Sequence, residues 1–199
     1  MKKQSDVVAE LTDRELKLNV YATQAIMLII AGIFGWFVFD SWHEFIALFQ
    51  VDIGLIIGVG GTVAVVIVLL DIILDRYLPK SWMDDGGINE RVFRDLTFFE
   101  LTILCLIIAI CEELLFRAVL QTAFGLVIAS TIFALIHFRY LYKPVLFINV
   151  WLVSFLLGAL FHWTGNVVVT IFAHFIIDFL LGLFIRYQYR YKKESEGNG

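Results

Sequence analysis

Six stretches of this chain are apolar over lengths that cross a bilayer or come close to it: 19–39, 53–74, 98–120, 123–138, 145–163 and 167–187. Lipid offers no partner to an N–H or a C=O. A run of ~20 apolar residues therefore folds as a helix, which closes its backbone hydrogen bonds internally. The sequence is 60% hydrophobic and 17% charged, against roughly a half and a quarter in soluble domains. These features predict an all-α polytopic membrane protein with about six transmembrane helices, of which the fourth is the shortest. The first run is too long for a signal-peptide core and no small-residue cleavage site follows it, so it is expected to remain in the mature protein. The net charge of −4 is small, and no basic patch with interleaved aromatics points to nucleic acid.

Lysine and arginine alternate across the connections. Lys2, Lys3, Arg14 and Lys17 precede the first run, and none lies in 40–52. Arg76, Lys80, Arg91 and Arg94 lie in 75–97, and Arg139 and Lys143 follow the fourth run. The 162–166 connection has none, and Arg186, Arg190, Lys192 and Lys193 close the chain. Under the positive-inside rule both termini are expected in the cytoplasm. Pro79, Asp84, Asp85, Gly86 and Gly87 mark 78–90 as a linker. We expect an N-terminal segment, 1–95, with two transmembrane helices, a four-helix core, 96–190, and a disordered tail, 191–199. Thr12-x-x-Glu15 has the spacing of a capping box before the first run.

Three polar patterns interrupt these helices: Glu112-Glu113-x-x-x-Arg117, Phe133-x-x-x-His137 and His174-x-x-x-Asp178. A charge at the bilayer centre costs at least ~2.5–3.5 kcal/mol on insertion scales, so each needs a partner or a task. Glu113 and Arg117 stand at i, i+4 and suit an ion pair. Glu112 is turned ~100° away and has no compensating neighbour in sequence. His174 and Asp178 also share a face, at a spacing that suits a carboxylate orienting an imidazole or two ligands on one metal. His137 lies near the end of its run. Asp71 and Asp75 are expected at the interface, neutralised by Arg76, and Asn149 as a helix–helix hydrogen bond or part of a polar cavity. Cys105 and Cys111 face different sides of one helix and are expected to be free, buried thiols.

On separate helices these groups can converge on one buried site that activates water. A free glutamate serves as general base, and histidine or a protonated acid donates to an oxyanion. Alternatively, Glu112, His137 and His174 form a two-histidine, one-carboxylate set that suits a catalytic zinc. No serine elbow or phosphate loop accompanies them.

In this order and in successive hydrophobic segments, the three patterns resemble the signature motifs of the CPBP (Abi) family. That family contains type II CAAX prenyl endopeptidases and bacterial bacteriocin-processing and self-immunity proteins. The resemblance covers roughly 98–187 and does not extend to the first two helices. It implies an intramembrane endopeptidase of the bacterial type, in a bacterial plasma membrane, acting on a peptide or membrane protein. By motif, Glu112 would activate water with help from His137, His174 and Asp178 would stabilise the oxyanion, and Glu113 and Arg117 would support them. The eukaryotic CAAX-processing members carry asparagine at the last position. Asp178 can donate there only when protonated, and when ionised it would orient His174 or help hold a metal. The resemblance implies either a metal-free glutamate enzyme or a zinc enzyme. A non-proteolytic immunity or regulatory scaffold and, less favoured, a proton-coupled transporter are the alternatives. With plain helices the third and fourth runs would put Glu112 and His137 at different depths. A shifted, tilted or partly interfacial helix is therefore expected after Arg117.

Overall fold

The structure is a computed structural model describing residues 11–197. Lys2 and Lys3, counted above in the charge alternation, lie outside the described residues. The all-helical membrane fold expected from the sequence is observed. Helix α1, Asp13–Val38, is opened by the expected capping box: Thr12 Oγ1 accepts from the Glu15 N–H and Glu15 Oε2 accepts from the Thr12 N–H. A short helix α2, Trp42–Ala47, follows, and then a π-helical segment π1, Gly54–Gly60, runs directly into α3, Gly61–Tyr77. The linker forms two short helices, α4, Lys80–Met83, and α5, Ile88–Phe93. Helix α6, Phe98–Glu113, continues as a second π-helical segment π2, Leu114–Gln121, and one turn, α7, Thr122–Phe124. The return arm α8, Leu126–Ile136, is followed by α9, Pro144–Thr164, and α10, Val167–Gly197.

Four of these helical runs are long and apolar enough to cross a membrane: Asp13–Val38, Gly54–Tyr77, Pro144–Thr164 and Val167–Ser195. The α6–π2–α7 run is long but carries Glu100, Glu112, Glu113 and Arg117. The fourth expected span, α8, has only 11 residues. The last helix runs on to Gly197, so most of the stretch expected as a disordered tail is helical; residues 198–199 lie outside the described residues.

Helix α10 is the axis of the bundle and packs on α6, α9, π1 and α3. Ile67, Leu157, Leu160, Val169, Ala173 and Ile177 form one buried cluster on this axis, and Leu16, Val92, Leu101 and Leu104 form another. Large apolar residues that would be a liability in water remain exposed along the flanks, Trp36, Phe37, Leu69 and Ile128 among them. They form the surface that faces lipid.

Polar contacts tie each end of the bundle. At one end the Asn166 amide donates to Gln50 O (2.7 Å) and the Val167 N–H to Leu48 O (2.9 Å). This joins the two connections that lack lysine and arginine. At the other end Asp13 accepts from Arg91 Nε (2.7 Å) and Arg94 Nη2 (2.6 Å), and Arg139 Nη2 donates to Asn89 Oδ1 (3.1 Å). Basic and non-basic connections thus separate onto opposite ends.

Candidate active site

The third and fourth apolar runs meet in a helical hairpin, and its turn decides which residues face one another. Gly125 forms the turn with φ 82° and ψ 170°, a region open essentially to glycine alone. It lies thirteen residues after Glu112 and twelve before His137. The two residues therefore stand at similar distances along opposite arms from the turn, which removes the large depth difference expected from plain spans. The expected shifted or interfacial helix after Arg117 is replaced by π2, which stays in the bundle: Leu115, Phe116, Arg117, Ala118 and Val119 are all buried. Phe116 meets Phe133 across the hairpin, ring centroids 4.8 Å apart. Helix α9 closes on the pair at Gly158, where an added Cβ would overlap the Leu126 side chain and come within 2.8 Å of Gln121 Oε1.

Glu113 and Arg117 form the expected pair, with Nε donating to Oε2 at 3.2 Å and both side chains fully buried. The pair does more than neutralise itself. Glu113 Oε1 lies 2.9 Å from His174 Nδ1, so the first and third motifs are joined through this carboxylate. Arg117 Nη2 donates to Ser154 Oγ on α9 at 2.9 Å, and the guanidinium lies over the Phe133 ring. One arginine of π2 thus touches residues of α6, α8 and α9.

His174 stands between three carboxylates. Its Nδ1 faces Glu113, and its Nε2 faces Asp178 Oδ2 at 3.5 Å and Glu112 Oε2 at 3.9 Å. Glu112 is buried and receives its hydrogen bond from a neutral amide, Gln24 Nε2, at 3.1 Å. Within the first motif, then, arginine compensates Glu113 and leaves Glu112 without a guanidinium.

His137 stands apart from this cluster. Its Nδ1 donates to Phe133 O at 2.8 Å, which leaves Nε2 with the lone pair in the neutral ring. The Phe133 ring neighbours both imidazoles, 4.7 Å from His137 and 6.5 Å from His174. His137 remains within electrostatic range of His174 and Asp178. Among the described residues no three His, Cys, Asp or Glu side chains are placed to hold one metal ion. The Glu112, His137, His174 set does not fit zinc in this arrangement.

Several polar partners lay beyond sequence reasoning. Gln24 and Ser154 are polar residues inside apolar runs, and that placement was their only signal. Asn149 is the helix–helix hydrogen bond expected as one alternative, donating to Asp71 Oδ1 at 2.8 Å. Asp75 pairs with Lys80 at 2.8 Å, so the partners of these aspartates are Asn149 and Lys80 where Arg76 was expected. Cys105 and Cys111 are free and buried.

The family model described as type II CAAX prenyl endopeptidase Rce1-like matches residues 94–180. The uncharacterized protein YpbD of Bacillus subtilis (strain 168) is 42% identical over 167 residues, 84% of this chain and 88% of that protein. The chain belongs to the Rce1-like family. No solved structure matches it. Rce1-like proteins are intramembrane endopeptidases, which accords with a polar cluster enclosed by long apolar helices. The Rce1-like match contains all three motifs and excludes α1, so Gln24 reaches Glu112 from outside the matched region.

Proposed function

We propose that this protein is an intramembrane endopeptidase that hydrolyses a peptide bond of a membrane-associated protein or peptide, with Glu112 as the base that activates water. The observation that carries the reading is the state of Glu112: a buried carboxylate beside His174, with a neutral amide as its hydrogen-bond donor. Such a group can gain and lose a proton during a reaction. Glu113, held by Arg117, serves as a fixed counter-charge.

Glu112 takes one proton from water as the water oxygen bonds to the scissile carbonyl carbon. The negative charge that develops on the carbonyl oxygen is met by His174 Nε2–H. Both ring nitrogens of His174 face carboxylate oxygens, so an imidazolium there donates from each side. Glu113 fixes the ring through Nδ1, and Asp178 holds Nε2–H until the substrate oxygen takes its place. His137, with Nε2 unprotonated, assists as an acceptor for the scissile N–H, which positions the peptide bond in front of the water. The C–N bond then breaks as Glu112 passes its proton to the leaving nitrogen, which restores the base. Asp178 thus acts as the orienting carboxylate where the CAAX-processing eukaryotic members use asparagine.

The expected setting is a bacterial plasma membrane with both termini in the cytoplasm. The test is a quantitative comparison of membrane-fraction peptides from cells carrying the wild type or Glu112→Gln. Fragments present with the wild type and absent with the variant are expected, with His174→Ala and His137→Ala behaving alike. Full biological activity in all three variants would instead identify a non-proteolytic immunity or regulatory scaffold.

A further inference from the structure

Helix α1 lies outside the region matched by the family, yet its one buried polar side chain bonds to the proposed base. We propose that Gln24 is a positioning residue that sets the orientation of Glu112 and, through its own carbonyl oxygen, of the attacking water. The inference rests on the peptidase reading above.

The buried stripe of α1 is Leu16, Gln24, Met27 and Ala31. Gln24 occupies a position where an apolar side chain would pack and is only 4% exposed. Burying a carboxamide costs free energy unless its polar atoms find partners. Its Nε2 has one, Glu112 Oε1 at 3.1 Å. The chemistry assigns the amide orientation, since only the NH2 group can donate to an ionised carboxylate. The other oxygen of Glu112 faces His174 Nε2. The carboxylate is therefore held on one side by α1 and on the other by α10.

Gln24 Oε1 is buried and has no hydrogen-bond partner among the described residues. It belongs to the same planar amide as the nitrogen bonded to Glu112, so it is an unused acceptor beside the base. A water that gives one hydrogen bond to Glu112 and the other to Gln24 Oε1 has both protons directed, and its lone pair is left for the carbonyl carbon. During attack the first proton moves to Glu112 and the second stays on the nucleophilic oxygen, hydrogen-bonded to Gln24.

The helix is held in register for this task. Asp13, clamped by Arg91 and Arg94, lies eleven residues before Gln24. Eleven residues make almost a whole number of turns, so the two share one face of α1. The clamp at the end of the bundle and the amide at its centre thus fix the same side of the helix against α5 and α6.

The test uses the full-length protein in lipid nanodiscs and in cells, with Gln24→Met, which keeps the size and loses the donor, and Gln24→Glu, which keeps the size and adds a carboxylate. The wild type minus Glu112→Gln infrared difference spectrum assigns the Glu112 carboxylate band. The expected result is a moved band in both Gln24 variants, an unchanged unfolding midpoint for Gln24→Met, and Glu112-dependent cleavage slowed about 10- to 100-fold, the loss of one hydrogen bond to a charged group. Gln24→Glu also changes the pH profile. An unmoved band with cleavage within about twofold of the wild type, well under the effect of one such bond, would overturn the inference and leave the peptidase reading in place. Absence of any Glu112-dependent cleavage by the wild type would overturn both. If one variant fails to insert, the other carries the same test.

Discussion

Arg117 shows how a charge can be held in an apolar bundle without being a reacting group. It is fully buried, ion-paired to Glu113 and hydrogen-bonded to Ser154, with its Nη1 unpartnered among the described residues. Removing one member of a buried pair strands the other, at a cost of about 3–5 kcal/mol. Arg117→Leu is therefore expected to lower unfolding stability in detergent by about that amount. The double variant Arg117→Leu, Glu113→Gln should recover much of it while remaining inactive, because His174 loses its ionised partner. Equal destabilisation of the single and double variants would contradict this account. The pair itself was legible from its i, i+4 spacing. Its bonds to His174 and Ser154 were not, because they join residues 61 and 37 apart in sequence and periodicity speaks only for neighbours on one helix. The same applies to Gln24, whose partner is 88 residues away. A solitary amide in an apolar run signals a bond but does not name its other end.

Among the elements, the hairpin of α6, π2 and α8 carries the geometry of the site. Its turn at Gly125 uses a backbone conformation that costs other residues about 1–3 kcal/mol. Gly125→Ala should destabilise the protein by about that amount and reduce cleavage further than the stability loss explains, since a shifted turn moves Phe133 and His137 along the other arm. A variant with reduced stability and full activity would show that the matched placement of the two arms is unimportant. Six apolar runs in the sequence correspond to the six principal helical runs of the structure, so element existence was readable. Their junctions were less so. The sequence puts a break near 121–122, and the helix continues through Phe124, past a largely buried π2. A π-helical segment leaves no mark in hydrophobic spacing, and Gly125 only became informative once its φ was known.

Viewed whole, the bundle has one end rich in arginine and lysine and one end without them, and the orientation proposed here follows from that division. Single cysteines replacing the exposed His43 or His162 should react with an impermeant thiol reagent on intact cells. One replacing Tyr142 should react only after the membrane is opened. Labelling in the reverse pattern would invert the topology. The brevity of α8 bears on the surrounding lipid. Eleven residues rise about 17 Å, little more than half of a ~30 Å hydrocarbon layer. Beyond it the chain leaves the α-helix for one 3-10 turn, Phe138–Tyr140, and then runs to Lys143 without helix; backbone that is not helical is tolerated at depth only against protein or water. The annulus beside this arm must thin or admit solvent, a hydrophobic mismatch confined to one sector of the perimeter. Cleavage in vesicles should accordingly rise as the acyl chains shorten and fall as they lengthen, while the four long helices tolerate both. On the peptidase reading proposed above, the host bilayer thus becomes a dial, with membrane thickness setting how readily water and a peptide reach Glu112.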